Sequence, residues 1–152
     1  REWQDQVMFR FSIGSVSDAT LKLWEPGAPG ALERLQSLLR AFEEGYATSV
    51  SMEPILDTEL GNIVYAVKST TPYVTDSIWL GKMNHARARL SFNGFGADEE
   101  MLDAARKLEA SQSDDRIKEL YDRLADHPAV KWKESIKKVV GIEVSTTAGH
   151  DQ

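Results

Sequence analysis

The sequence predicts an α/β fold in which helices alternate with parallel β-strands. Residues 8–54 read as strand, helix and strand, and small or polar residues follow both strands where they end. Connections that contain a helix permit parallel pairing through right-handed crossovers. Parallel α/β folds bind their ligands at the carboxyl ends of the strands. The sequence therefore predicts both a fold class and the edge of the sheet on which a functional site would lie.

The first predicted elements are a strand, a short helix and a turn. Residues 7–13 are apolar and rich in β-formers, and Gly14 and Ser15 follow them, as is typical of a buried strand. Ser17 and Asp18 are suitable N-terminal caps for a helix that ends near Trp24. The proline- and glycine-rich residues 26–30 end that helix and precede the next one.

The second and third units repeat this pattern. Residues 31–44 predict an amphipathic helix that Gly45 ends, with its apolar stripe formed by Leu32, Leu35, Leu38, Leu39 and Phe42. Residues 47–52 form the second predicted strand, and it leads into Glu53 and Pro54. A helix over residues 57–68 and a short strand over residues 77–80 complete the series.

The composition of the chain changes after Asn93, and the remainder reads as mainly helical. We predict helices over residues 98–110 and 113–124, and a last helix that contains Trp132 and Ile136 and ends at Gly141. Residues 145–152 read as a loose tail. Three strands form a small sheet with two edges to cover. The chain therefore resembles part of a larger α/β structure, and we expect exposed apolar strand faces and self-association through an open sheet edge.

Composition limits the possible functions. The 152 residues fit one domain, and the formal net charge of −6 argues against a surface that generally coats nucleic acid. There is no cysteine, which excludes disulfides, thiolate catalysis and a cysteine-ligated zinc or iron–sulfur centre within the chain. No apolar run reaches membrane-spanning length and no signal peptide is visible. A cytoplasmic protein is the expectation.

Several segments, in this order, carry a resemblance to a known family: FRFSIGS, LKLWEPGAP, ERLQSLLRAFEEGYATSVSMEPILD, SIWLGKMNH and WKESIKK. They resemble the C-terminal half of radical S-adenosylmethionine (radical SAM) proteins, in the spore photoproduct lyase-like or DNA repair photolyase-like branch. The resemblance implies half of a partial (β/α)6 TIM-like barrel with parallel strands. Residues 1–93 would supply its last three β/α units, and residues 94–152 a helical C-terminal extension packed on the same domain.

The chain departs from this family in one important respect. Family members bind a [4Fe-4S] cluster through a C-x3-C-x2-C loop after the first strand, and this chain has no cysteine. The resemblance therefore implies a C-terminal fragment that is inactive alone and contributes part of the S-adenosylmethionine pocket. S-adenosylmethionine and the [4Fe-4S] cluster would belong to the intact parent protein, and the missing N-terminal half of the barrel would be the partner of this chain.

The resemblance also nominates cofactor-binding residues near the strand ends. Arg34 resembles an arginine that clamps the cofactor carboxylate, and Glu25 would orient it or accept from the amino group. Ser12 suits a hydroxyl contact with the ribose or amino-acid part. The complete predicted set is Ser12, Glu25, Arg34, Ser51, Glu53, Lys82 and Asn84. Each has an ordinary alternative role: a strand end for Ser12, turn chemistry for Glu25 or a solvated helix position for Arg34.

Other interpretations of the sequence remain open. The chain is alternatively a free-standing α/β binding or protein-interaction module without catalysis, or a small hydrolase with a carboxylate pair drawn from Glu25, Glu53 and Asp57. Two basic stretches would suit phosphates if the family acts on nucleic acid, although such stretches are usually solvated. They are Lys82, His85, Arg87 and Arg89, and then Lys131, Lys133, Lys137 and Lys138 on the last helix. The histidines have no metal-ligand spacing.

Overall fold

The computed structural model describes residues 3–144, and within that range the chain forms one four-stranded parallel sheet and seven α-helices. The strands are β1 (Met8–Ser12), β2 (Ala47–Met52), β3 (Ile78–Leu80) and β4 (Val130–Trp132). The helices are α1 (Asp18–Trp24), α2 (Ala31–Glu43), α3 (Leu60–Thr70), α4 (Ala86–Phe92), α5 (Glu99–Ser111), α6 (Asp114–Leu124) and α7 (Glu134–Val140). Short 3-10 helices span Gln4–Gln6 and Thr71–Tyr73. The predicted tail at residues 145–152 lies outside the described range.

The strands lie side by side in the order in which they occur along the chain, β1-β2-β3-β4, and every pair is parallel. The α/β class and the parallel pairing of the three predicted strands are thereby confirmed. A sequential order means that each crossover moves one strand further in the same direction, as in the wall of a barrel. A doubly wound sheet instead reverses its order at a switch point. The architecture is consistent with a partial α/β barrel-like fold.

The fourth strand was not predicted. Trp132 was assigned to the last helix, but it lies in β4, where it is the register partner of Leu80. The helix α7 begins only at Glu134. Lys131 and Lys133 therefore do not lie on that helix. The prediction failed because Lys131 interrupts the apolar residues of β4 and no glycine follows them, whereas the equally short β3 is a continuous apolar run that Gly81 ends. Residues 94–144 thus contribute a strand to the sheet in addition to helices.

The helices cover one face of the sheet. Val50, Met52, Ile78 and Leu80 alternate along β2 and β3, and all are buried in one cluster. The same cluster contains side chains from α2, α3, α6 and α7, namely Leu38, Leu60, Ile63, Ala66, Val67, Ile117, Leu120, Leu124 and Ile136. This apolar contact supplies the main hydrophobic stabilisation of the chain.

The apolar stripe of α2 is rotated from the predicted one. Leu32 is 66% exposed, whereas Ala31, Leu38 and Ala41 are buried. Positions 31, 38 and 41 lie on one side of a helix with 3.6 residues per turn, and Leu32 follows one residue later, about 100° around the axis. The predicted stripe included the larger side chain of Leu32, but the small Ala31 is the residue that packs in an apolar cluster, with Leu21 and Leu108.

A second apolar lobe forms where the strands end. The helices α1, α4 and α5 meet in two small clusters, which join Leu21 to Leu108 and Leu90 to Ala105. Trp24 and Met83 contact both clusters. None of the described helices has the length and apolar character needed to cross a membrane.

Candidate functional site

The face of the sheet opposite the main core is polar. Side chains alternate between the two faces of a strand, so the residues between the buried ones lie on the other face. Ser12, Ser51, Trp79 and Lys131 form one row across all four strands, because each is the register partner of the next. Arg10 precedes Ser12 by two positions. We call these five residues the open face, and Arg10, Ser12 and Lys131 are exposed on it. The expectation of an apolar face is wrong for this row of the sheet.

Trp79 lies at the centre of the open face and is surrounded by cations. The charged groups of Arg10, Lys131 and Lys133 lie 6.0, 5.5 and 4.8 Å from the centroid of its ring. Such cation–π contacts cover the indole, which is only 5% exposed. Among residues 3–144 its Nε1 is a buried polar atom without a hydrogen-bond partner. An unsatisfied buried donor costs about 1–3 kcal/mol, so this N–H is a feature that requires an explanation.

An open cleft adjoins this face at the carboxyl edge of β2, β3 and β4. One part of the cleft has a volume of about 220 Å³. Three of the residues predicted from the resemblance line it, namely Glu53, Lys82 and Asn84. A wider part of about 610 Å³ extends from Glu53 and Asn84 to Lys133. We call this region the carboxyl-edge cleft.

Glu53 is placed in the cleft by the absence of a side chain at Gly81. A Cβ atom at Gly81 would lie 2.9 Å from Cγ of Glu53, which is closer than real contacts of this kind. Glu53 Oε2 lies 3.5 Å from Lys133 Nζ. The carboxylate therefore lies over the end of β3 and beside Lys133, which also contacts Trp79, so Lys133 links the cleft to the open face.

The loop after β3 is held by two buried or half-buried hydrogen bonds. The N–H of Met83 donates to Oε1 of Gln112 at 2.7 Å, and Nε2 of Gln112 donates to the carbonyl of Ile55 at 2.8 Å. Nearby, the N–H of Lys82 donates to Oγ of Ser135 at 3.0 Å. Gln112 was not identified from the sequence, because a glutamine after a helix gives no local signal of a contact 57 residues away.

Lys82 turns away from the mouth of the cleft. Its Nζ lies 3.6 Å from Asp114 Oδ1, in the first turn of α6, and its side chain is mostly buried. This ion pair joins the end of β3 to the helical segment. Asn84 and His85 are exposed, and His85 has a left-handed backbone with φ of 57°. The exposed amide of Asn84 is therefore the more accessible of the two predicted groups on this loop.

The other predicted residues form a separate group at the end of β1. Arg34 donates from Nε to the carbonyl of Pro29 at 2.8 Å and from Nη1 to the carbonyl of Ser12 at 3.0 Å. Its Nη2 donates to Glu25, so the expected Arg34–Glu25 contact is present. The Arg34 side chain is only 10% exposed. We call this group the Arg34 bracket, because it joins β1, the end of α1 and the turn before α2.

Asp57 also has a structural partner on the β1 side. The hydroxyl of Ser15 donates to its Oδ1 at 2.8 Å, and both residues are buried. Burial raises the pKa of the Asp57 carboxyl above its ordinary range, and the hydrogen bonds from Ser15 and the Val16 backbone partly oppose this. The three carboxylates of the hydrolase hypothesis thus have different partners: Arg34 for Glu25, Lys133 for Glu53 and Ser15 for Asp57.

The donor set offers little to a metal. Within residues 3–144 no group of three or more histidine, aspartate or glutamate residues is placed to hold an ion. His127 instead lies 3.2 Å from the Thr71 hydroxyl, and His150 is outside the described range. With no thiolate in the sequence, the residues present do not fit a [4Fe-4S] cluster.

No protein-family model, curated protein or solved structure matches this chain. The resemblance to radical SAM proteins therefore depends on the sequence segments that carry it. The geometry adds a shared location for part of the predicted set, since Glu53, Lys82 and Asn84 line one cleft and Ser51 lies two positions before Glu53 on β2.

Proposed function

We propose that this chain contributes part of an S-adenosylmethionine pocket to a radical SAM-type enzyme, as the C-terminal half of its barrel. One observation carries the proposal: polar residues that follow β2, β3 and β4 meet at the carboxyl edge of a sequential parallel sheet, beside a face that no helix of the main core covers. Parallel barrels bind their ligands at this edge. The sequence resemblance supplies the identity of the ligand.

The residues of the carboxyl-edge cleft fit the polar parts of this ligand. The exposed carboxylate of Glu53 accepts hydrogen bonds from an amino group or from ribose hydroxyls, and the amide of Asn84 both donates and accepts. The hydroxyl of Ser51 lies on the adjoining open face and does the same from a rigid strand, which favours a fixed ligand orientation. In this proposal the chain binds and orients the ligand, while the cluster chemistry belongs to the cysteine-bearing part of the parent protein.

The Arg34 bracket takes a supporting role in this proposal. Three donors of its guanidinium already have internal acceptors, so a ligand carboxylate would have to share them. Arg34 and Glu25 would then shape the wall of the pocket on the β1 side, and Ser12 would face it from the first strand. The role of Arg34 as a carboxylate clamp stays a prediction.

The test requires the intact parent protein. Its coding region upstream of Arg1 should contain a C-x3-C-x2-C loop, and anaerobic reconstitution should give a protein with [4Fe-4S] absorption that binds S-adenosylmethionine. Asn84→Ala and Glu53→Gln should each weaken that binding by roughly tenfold, the effect of one lost hydrogen bond to a charged group. Lys118→Gln, at an exposed position on α6, serves as the matched control.

Two results would contradict the proposal: a parent protein without the cysteine loop, or cleft variants that bind the ligand as the Lys118 control does. The first result would favour the second candidate, a free-standing binding module. The observation that supports this candidate is the polar and charged character of the open face, which suits contact with water or with a small ligand in an isolated chain.

A further inference from the structure

We propose that the open face also holds a binding site for a doubly charged oxyanion such as a phosphate monoester, centred on Trp79. Arg10 comes from β1, Lys131 from β4 and Lys133 from the loop after β4, yet all three charged groups lie within 6.0 Å of one indole ring. This site adjoins the proposed S-adenosylmethionine pocket, with which it shares Lys133, and it goes beyond that function.

The charge of the group matches a dianion. Glu53 contacts the group through Lys133, with 3.5 Å between Oε2 and Nζ. Arg10, Lys131 and Lys133 bring three formal positive charges to one ring, in a chain whose net charge is −6. Cation–π contacts hold the cations near the ring but do not cancel their mutual repulsion. A bound dianion would offset this repulsion.

The side chains also have the chemistry that phosphate recognition requires. Arginine offers a planar fork that matches two phosphate oxygens, and lysine supplies a compact charge. Arg10 donates from Nε to Ser49 Oγ at 3.3 Å, which positions its guanidinium on the sheet. Arg10 and Lys131 are exposed and so are accessible to a ligand.

The unpaired indole N–H of Trp79 is a second observation that supports an oxyanion site on this face. Nε1 of Trp79 is buried and has no acceptor among residues 3–144, although indole nitrogens in interiors normally find one. An oxyanion that entered between the cations would bring acceptors to the ring. The ordinary alternative is that the three cations only shield the indole from water, and in that case no anion would bind.

The experiment uses the 152-residue chain and inorganic phosphate as the ligand. At about pH 8 phosphate is mainly dianionic, since the second pKa of phosphate groups lies near 6–7. Titration at constant ionic strength, followed by calorimetry and tryptophan fluorescence, should give saturable binding. Acetate, a monoanion, should bind at least tenfold more weakly, because it carries half the charge.

Three variants locate the site. Lys131→Gln should weaken phosphate binding by roughly tenfold, whereas Lys118→Gln, which removes the same charge from α6, should leave it unchanged. Trp79→Phe keeps an aromatic ring but removes the N–H. It should abolish the fluorescence response and weaken the binding measured by calorimetry several-fold.

The proposal is overturned by any of three results: no saturable binding at millimolar phosphate, equal responses to acetate and phosphate, or equal effects of Lys131→Gln and Lys118→Gln. None of these results bears on the S-adenosylmethionine proposal, which is tested in the intact protein through Glu53 and Asn84. Conversely, a parent protein without a cysteine loop would leave the oxyanion site unaffected.

Discussion

The two halves of the carboxyl edge use polar side chains in opposite ways. On the β1 side, the Arg34 bracket and the Ser15–Asp57 pair are satisfied by partners within the chain. On the β2–β4 side, Glu53 and Asn84 are exposed and line a cleft. A polar residue at a strand end of this sheet therefore either ties loops together or lines an open cleft. The difference follows from the partners of each side chain, since the Arg34 bracket and the Ser15–Asp57 pair form their hydrogen bonds within the chain.

Close backbone contacts explain why the β1 side is closed. The carbonyl of Gly14 accepts from the N–H of Leu56 at 2.9 Å, which joins the loops after β1 and β2. A Cβ atom at Gly14 would lie 2.8 Å from the carbonyl oxygen of Pro54, so only glycine permits this approach. On the other side, the corresponding space beside Gly81 is filled by the Glu53 side chain.

The largest expected effect tests the closed side. Arg34→Ala should lower the free energy of unfolding by about 2–3 kcal/mol, because the variant loses hydrogen bonds to a charged group and leaves Glu25 without its partner. Chemical denaturation measures the change. Arg40→Ala is the control, since this exposed arginine pairs with Glu44 at the end of its own helix, and it should have little effect. Equal effects of the two substitutions would show that the bracket is not structural.

An intermediate effect tests the packing on the open side. Gly81→Ala should destabilise the chain by about 1–2 kcal/mol, because the new methyl group overlaps Glu53. Gly61→Ala on α3 should instead stabilise it by about 0.5–1 kcal/mol, because nothing lies within 4 Å and alanine favours a helix. Thermal unfolding of both variants shows whether each substitution raises or lowers the stability of the chain. Stabilisation by Gly81→Ala would mean that Glu53 does not occupy this position.

The smallest expected effect is a change in pH dependence. Because burial raises the pKa of Asp57, the folded chain keeps a proton that the unfolded chain loses above about pH 4. Stability attributable to this group therefore falls as pH rises from about 4 through the raised pKa, and is constant above it.

Asp57→Asn removes this titration. The free energy of unfolding of Asp57→Asn, relative to that of the wild type, should therefore increase as pH rises from about 4 through the raised pKa of Asp57. This trend does not depend on which of the two proteins is the more stable. Urea denaturation at several pH values measures this, with Asp122→Asn at an exposed position as the control. A difference between Asp57→Asn and the wild type that does not vary with pH would contradict the pKa shift.

The comparison also explains what sequence could predict. The strands β1, β2 and β3 were found because apolar, β-rich runs end at glycine or polar residues, which is a local signal. The cleft residues Glu53 and Asn84 were found because they follow strands. Arg10 was not grouped with Lys131 and Lys133, because it comes from β1 and they come from β4 and the residue after it. Only the register of a strand that was itself missed brings the three together. Pairing between strands that are distant in the sequence produces no periodic pattern of residues from which it could be predicted.

The hydrogen bonds of Gln112 have a consequence for the architecture as a whole. This one amide joins the end of α5 to the loops after β2 and β3, and Ser135 and Asp114 hold Lys82 from the same C-terminal segment. The region beyond Asn93 therefore holds the loops that line the cleft in place, and it is not a separate extension packed on a complete sheet. A cut at that point would remove a strand and the supports of two loops together, so within residues 3–144 the parts before and after Asn93 depend on each other for folding.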